Sequence, residues 1–226
     1  MPEFPDPTTQ NRLAGDCLKC PALVEGRECI SWGNGSLDAA LVVVGEAPGY
    51  GDPETDRWRG GNWTGLAYTS RHSGRRIRDL LSDAGYGHED CYFTNAVKCF
   101  PAAEDGGEST DGAESESDGR PTNREPTAEE RANCRPFLLT EIEQVEPAAV
   151  VTTGKHATKS VLAAADRDID GFLDAVLEPV PCPDLDTTVV PLLHPSYQDV
   201  WLSRLDHTHE SYVAAIREML GALTGG

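Results

Sequence analysis

Four cysteines have the type and spacing to bind a metal. Cys17 and Cys20 form a C-x2-C, and Cys99 and Cys134 lie far downstream. C-x2-C suits two corners of a tetrahedral site, so four thiolates drawn from both ends of one domain suggest a bound metal or an iron–sulfur cluster. Cys29, Cys91 and Cys182 lack such spacing and read as ordinary buried thiols. A second set of groups follows short apolar runs. Gly45-Glu46-Ala47-Pro48-Gly49 makes a tight turn whose N–H groups can face a ligand. Asn95 offers one donor and one acceptor edge, which matches O4 and N3–H of uracil; the commoner use of such an Asn is a bond to local backbone. His194, in His194-Pro195-Ser196, can donate to an oxygen that gains negative charge as a bond breaks, or serve as a half-buried structural histidine. A third set is aromatic and basic: Trp58, Trp63 and Tyr68 stand among Arg57, Arg59 and Arg71, followed by Arg75, Arg76 and Arg78. Aromatics interleaved with arginine suit base stacking and phosphate contact, with Arg71 a candidate DNA contact; a solvated helix face is the alternative.

The elements that must hold these groups alternate in type. Leu41-Val42-Val43-Val44, Cys91-Tyr92-Phe93-Thr94, Ala149-Val150-Val151-Thr152-Thr153 and Thr188-Val189-Val190-Pro191-Leu192-Leu193 are predicted strands. Pro191 places the last of them at an edge or in an irregular position. Helices are predicted from Ser73 to Leu81, after a capping box at Thr127 and Glu130, over about 155–165, and over about 210–223. The expected fold is therefore α/β, a three-layer αβα arrangement around a central, mainly parallel four-stranded sheet. Gly45-Glu46, Asn95, Gly154 and His194 all fall just beyond strand ends, where open α/β sheets bind ligands. One domain over 1–226 is expected. Residues 102–119 contain only Ala, Gly, Ser, Thr, Asp and Glu, and read as a disordered acidic insertion whose deletion leaves the fold intact.

Net charge is −19, with only four lysines, Lys19, Lys98, Lys155 and Lys159. Acidity usually argues against nucleic-acid binding. The even spread of Asp and Glu points instead to a surface working in concentrated salt, where self-repulsion is screened. No apolar run reaches bilayer length and no secretory leader is visible, so a cytoplasmic protein, off the membrane, is expected.

Taken together, these segments resemble the iron–sulfur uracil-DNA glycosylases, families 4 and 5 of the uracil-DNA glycosylase superfamily. The matching pieces run from Cys17 to about Arg204. They are C-x2-C, G-E-A-P-G, a G-x-x-[FY]-x-x-x-x-S-G stretch at residues 65–74, T-N-x-V-K-C, N-R-x-P-T-x-E-E-x-x-x-C and H-P-S. The 65–74 stretch leans to family 5, and G-E-A-P-G with T-N-A-V-K-C leans to family 4. The resemblance implies a monofunctional glycosylase, expected to be a monomer, acting on uracil-containing DNA. It implies a [4Fe-4S] cluster on Cys17, Cys20, Cys99 and Cys134. It implies Tyr68 stacking on the flipped base, Asn95 reading it, and His194 stabilising the departing base at O2. Glu46 and Ala47 would form the pocket wall, and Ser196 and Tyr197 would begin the loop that enters the minor groove. Ala47 stands where the most familiar enzymes of this kind have a water-orienting Asp. Asp52, then Glu54, fits the acidic position that family 4 places beyond the turn, with Glu46 as a further catalytic carboxylate. Gly49 replaces the aromatic that excludes the thymine methyl. The rival expectations are a glycosylase with broader range, acting also on hypoxanthine or thymine, a non-catalytic zinc or iron–sulfur nucleic-acid-binding module, and an electron-transfer protein.

Overall fold

Four β-branched runs lie side by side and set the frame. The computed structural model describes residues 17–54, 59–70, 72–103 and 121–225. In chain order the main elements are α1 (Pro21–Gly26), β1 (Asn34–Gly35), β2 (Leu41–Gly45), α2 (His72–Asp83), β3 (Cys91–Asn95) and α3 (Ala128–Val145). Then come β4 (Ala149–Thr153), α4 (Lys155–Leu162), α5 (Phe172–Ala175), β5 (Val180–Cys182), β6 (Thr187–Leu192), α6 (Gln198–Trp201) and α7 (His209–Thr224). The sheet order is β1-β3-β2-β4-β6-β5. Its inner four strands are parallel, and both outer strands are antiparallel to their neighbours.

The sheet thus has six strands rather than the expected four. The two additions escape pattern reading because β1 is two residues long and β5 is three, with Pro181 at its centre; neither can display a period-2 alternation. The position expected for β6 is also corrected. It is an inner strand, with Pro191 registered against Thr152 of β4. The proline is tolerated because its carbonyl accepts from Leu177 N at 2.9 Å. A strand residue's carbonyl and N–H point to the same side. The missing donor therefore faces the β5 side, beyond the last β5–β6 pair at Val189.

Alternation along the strands builds two cores. Leu41, Val43, Phe93, Val151 and Val190 face α2 and α7, meeting Ile77, Leu80, Tyr212 and Ile216. Val42, Val44, Tyr92, Val150 and Val189 face α3 and α4, meeting Leu138, Ile142, Val161 and Leu162. This is the three-layer arrangement, and strands buried on both faces explain the unbroken apolar runs. The capping box forms as expected. Glu130 N donates to Thr127 Oγ1 at 3.2 Å, and Thr127 N donates to Glu130 Oε2 at 2.7 Å. The acidic insertion lies largely outside the described residues. Its base is held by a bridge between Ala102 and Asn123, with Ala103 N donating to Thr122 O at 2.8 Å. No helix among the described residues is long and apolar enough to cross a membrane.

Candidate active site

The carboxyl ends of β2, β3, β4 and β6 open onto one cleft of about 650 Å³, counting its mouth. Register fixes the floor. Gly45 ends β2 directly opposite Asn95 at the end of β3. The two following segments remain zipped together, Ala96 N to Gly45 O at 2.8 Å and Val97 N to Glu46 O at 2.9 Å. A Cβ on Gly45 would lie 2.6 Å from Asn95 Oδ1 and 3.0 Å from Tyr68 Oη, so glycine keeps open the space on which both side chains converge. Asn95 is 5% exposed, lines the cleft, and its amide makes no hydrogen bond among the described residues. The common alternative, an Asn tied to local backbone, is not what the chain does here.

Tyr68 reaches the floor by an unusual route. Its φ is +57°, a left-handed conformation uncommon for a side-chain-bearing residue. Gly74 in the first turn of α2 packs directly on the Tyr68 backbone; a Cβ there would meet Tyr68 O at 2.1 Å. The tyrosine ring stands edge-on to Phe93 with centroids 5.7 Å apart, and its hydroxyl shares a 2.7 Å hydrogen bond with Thr153 at the end of β4. Burial pushes the Tyr68 phenol up, so it stays neutral.

His194 completes the cleft beyond β6. Its Nδ1 accepts from Ser196 N at 3.3 Å, which assigns the proton of the neutral ring to Nε2 and makes that nitrogen a donor. Its ring lies 5.7 Å from that of Tyr197. Asn95, Tyr68, His194, Glu46 and Ala47 therefore line one cavity.

Other candidates fall elsewhere. Asp52 does not line the cleft. Its Oδ1 accepts from Glu54 N at 3.0 Å, and its own N–H donates to Arg59 O, so the acidic position closes a turn. Trp63 packs edge-on against Tyr50 at 5.9 Å rather than facing the cleft. The arginine cluster divides: Arg78 lies 3.8 Å over the Phe93 ring, and Arg76 pairs with Asp199 at 2.6 Å. Arg57, Trp58 and Arg71 lie outside the described residues. Ser196 is exposed and Tyr197 half-buried; neither lines the cleft, and Tyr197 lines the neighbouring groove.

Three features went unread in the sequence. Arg124 lines the cleft and is fixed there by a two-pronged pair with Glu130, at 2.6 and 2.8 Å, which holds that carboxyl below the usual range. Thr153, partner of Tyr68, also lines it. Beneath the cleft, Lys98 is 2% exposed and bonds to Glu141, which is fully buried. Lys98 also donates to Asn95 O at 2.8 Å, while Glu141 accepts from Gly33 N at 2.6 Å and from Thr94 Oγ1 at 2.8 Å. Only the T-N-x-V-K motif hinted at this floor, and its lysine pointed to no partner.

The four thiols meet on the flank of the cleft. Cys99 and Cys134 are buried, Cys17 and Cys20 half-buried, and all four pack with Leu23, Ile30, Trp32 and Val97. Donors approach the sulfurs: Arg27 Nη1 to Cys99 and Asn133 Nδ2 to Cys20, each at 3.5 Å. Burial pushes the Cys134 thiol up to about 11 and raises Cys99 as well. Among the described residues no three His, Cys, Asp or Glu side chains are placed to grip a single metal ion. Four thiols in an apolar shell with N–H donors to sulfur are a donor set that would fit an iron–sulfur cluster. Cys29, Cys91 and Cys182 are buried thiols outside any disulfide.

The chain is similar to known proteins over most of its length. The family model described as the uracil DNA glycosylase superfamily matches residues 32–220. A type-4 uracil-DNA glycosylase of Thermotoga maritima is 36% identical over 141 residues, 62% of this chain and 58% of that protein. One from Saccharolobus solfataricus, also type 4, is 30% identical over 143 residues, 63% of this chain and 52% of the relative. A type-5 uracil-DNA glycosylase of Pyrobaculum aerophilum is 32% identical over 180 residues, 67% of each chain. The chain thus spans from about half to two thirds of these relatives' lengths.

Proposed function

The chain belongs to the uracil-DNA glycosylase superfamily, and from that premise we propose that it removes uracil from DNA by hydrolysing the N-glycosidic bond, as one glycosylase domain. The observation that carries this reading is the convergence of Asn95, Tyr68 and His194 on a single cleft floored by Gly45. In this reading deoxyuridine is extruded from the helix, at a cost of a few kcal/mol that is least at a mismatch. The Tyr68 ring stacks on the base, and the Asn95 amide meets O4 and N3–H. Water adds its oxygen to C1′ as the bond to N1 breaks. The electron pair leaves with uracil, whose charge gathers on O2, and the proton shed by the water as its oxygen bonds to C1′ ends on the uracil anion by way of solvent, giving free uracil. His194 Nε2–H donates to that oxygen. Glu46, which lines both the cleft and the neighbouring groove, is the carboxylate among the described cleft-lining residues and would offset the sugar's positive charge. With Asp52 turned into its own loop, Glu46 is favoured over it as the carboxylate that steadies water. Hydrolysis by water needs no lysine nucleophile, and none lines the cleft among the described residues, so an abasic site is the product in this reading. Ser196 and Tyr197 enter the minor groove, and Arg71 contacts phosphate.

Cys17, Cys20, Cys99 and Cys134 would hold a [4Fe-4S] cluster, whose part is structural: it ties the N-terminal segment to the Cys99 and Cys134 segments. Anaerobically purified protein should absorb near 400 nm; a colourless zinc protein would overturn this assignment. The function is tested by incubating the protein with uracil-, hypoxanthine- and thymine-containing oligonucleotides. Uracil release is expected, with Asn95→Asp shifting or weakening base choice. An unaltered rate of that variant on both uracil- and cytosine-containing DNA would remove Asn95 from base reading.

A further inference from the structure

His194 stands where the sheet no longer holds the chain. The β4–β6 ladder ends at the pair Thr153 and Leu192, two residues before the histidine. A group that donates to a developing charge must be held to within about 0.5 Å, so other contacts have to replace the ladder. Gly154 N donates to Leu192 O at 2.9 Å. Gly154, with φ +89°, also packs its bare Cα against the histidine; an added Cβ would lie 3.1 Å from His194 Cβ and 3.4 Å from Cδ2. The next contact comes from α7, where Tyr212 Oη accepts from Leu193 N at 2.9 Å.

The Leu193 peptide has few other places to turn. Successive strand residues point their N–H and C=O groups to opposite sides. Leu192 faces β4, so Leu193 faces the β5 side, where pairing with β6 has already ended at Val180 and Val189. Leu193 is buried, and an unmet N–H there is costly. Tyr212 meets it from within the core. The tyrosine is fully buried, which raises its phenol and keeps it neutral. Its own place is set by the first turn of α7. Ser211 N donates to Thr208 Oγ1 at 3.2 Å in a capping box, and Tyr212 N donates to Thr208 O at 3.0 Å. The His207 ring lies edge-on to the Tyr212 ring at 5.9 Å.

We propose that Tyr212 is a positioning residue for His194: its hydroxyl fixes the peptide that carries the histidine and so aims Nε2–H at the departing oxygen. Tyr212 does not line the cleft and touches no reacting atom; it acts through its neighbour. A phenylalanine would fill the same space in the core. What the hydroxyl adds is a fixed point one residue from the donor. A purely structural tyrosine predicts lost stability with unchanged chemistry. A positioning tyrosine predicts slower chemistry at constant substrate affinity, and a loss that disappears once His194 is gone. This rests on the glycosylase reading and deepens it at the histidine.

The test uses the full chain. Tyr212→Phe should slow single-turnover uracil release about tenfold, since a catalytic group misplaced by about 1 Å can cost as much as 10²-fold. Binding of an oligonucleotide carrying a cleavage-resistant 2′-fluorinated deoxyuridine should stay within about twofold of wild type, because the donation strengthens only as the bond breaks. In a His194→Ala background the same substitution should leave release unchanged, as residues that act through one group are not additive. Tyr86→Phe is the control. It removes a phenol that bonds Thr224 at the far end of α7 at 3.1 Å, and it should release uracil at the wild-type rate. A wild-type rate for Tyr212→Phe, an equal loss in both backgrounds, or a matching loss for Tyr86→Phe would overturn the proposal. So would a variant that loses binding along with rate, as an unfolded chain does. Uracil release by wild type with any of these results sinks this inference alone. No release by wild type, or a wild-type rate for His194→Ala, sinks the reading beneath it.

Discussion

The cleft and the thiol cluster share one short segment, residues 95–99, and use its two ends by opposite rules. Asn95 opens the segment on the cleft floor with its amide unspent among the described residues. Cys99 closes it among Leu23, Ile30, Trp32 and Val97, with Arg27 donating to its sulfur. The cleft end keeps a buried polar side chain unsatisfied among the described residues, while the thiol end is walled with apolar side chains. Lys98 stands between them, buried with Glu141, and holds the Asn95 carbonyl from behind. A closed, hydrogen-bonded layer thus lies directly behind the open cleft.

The largest effect should come from breaking the thiol side. Cys134→Ser is expected to abolish the absorbance near 400 nm and to expose the segment around α1 to proteolysis. A variant that keeps both colour and protease resistance would separate the two regions. On the cleft side, His194→Ala should slow single-turnover uracil release by 10²–10³-fold, since one donor to a developing anion is worth about 2.7–4 kcal/mol. That variant should leave the thiol side's absorbance intact; a wild-type rate removes His194 from the mechanism.

The shared floor separates the regions more finely. Lys98→Met leaves the Glu141 carboxylate buried without its cation and should cost about 3–5 kcal/mol in urea unfolding. Adding Glu141→Gln should recover part of that loss, and no recovery would mean that the pair acts independently. Tyr68→Phe should have the smallest effect. It removes the bond to Thr153, worth about 1 kcal/mol, while keeping the stacking ring. Uracil release near wild type is expected, and a hundredfold loss would give the hydroxyl a role of its own.

Much of the site was legible in advance because its chemistry clings to strand ends. Gly45, Asn95 and His194 each follow a β-branched run, and a parallel sheet brings such ends together by topology alone. Asp52 misled because spacing along a loop does not say where the loop turns, and its carboxylate closes its own turn. Arg78 misled because charge in a sequence reads as exposure, whereas its guanidinium packs on Phe93. The edge strands β1 and β5 were too short to carry a periodic signal.

The succession of the four long strands and the long helices, the apolar runs of those strands and the candidate thiol ligands were determined by the sequence alone. Period and residue type act over a few neighbours and need no partner to be read. Tertiary structure alone decided that Lys98 meets Glu141 across 43 residues, that Tyr68 meets Thr153 across 85, and that Lys155 and Lys159 share a groove with Trp201. Those pairings depend on how sheet and helices pack, and residues that meet only across the fold carry no mark of each other along the chain.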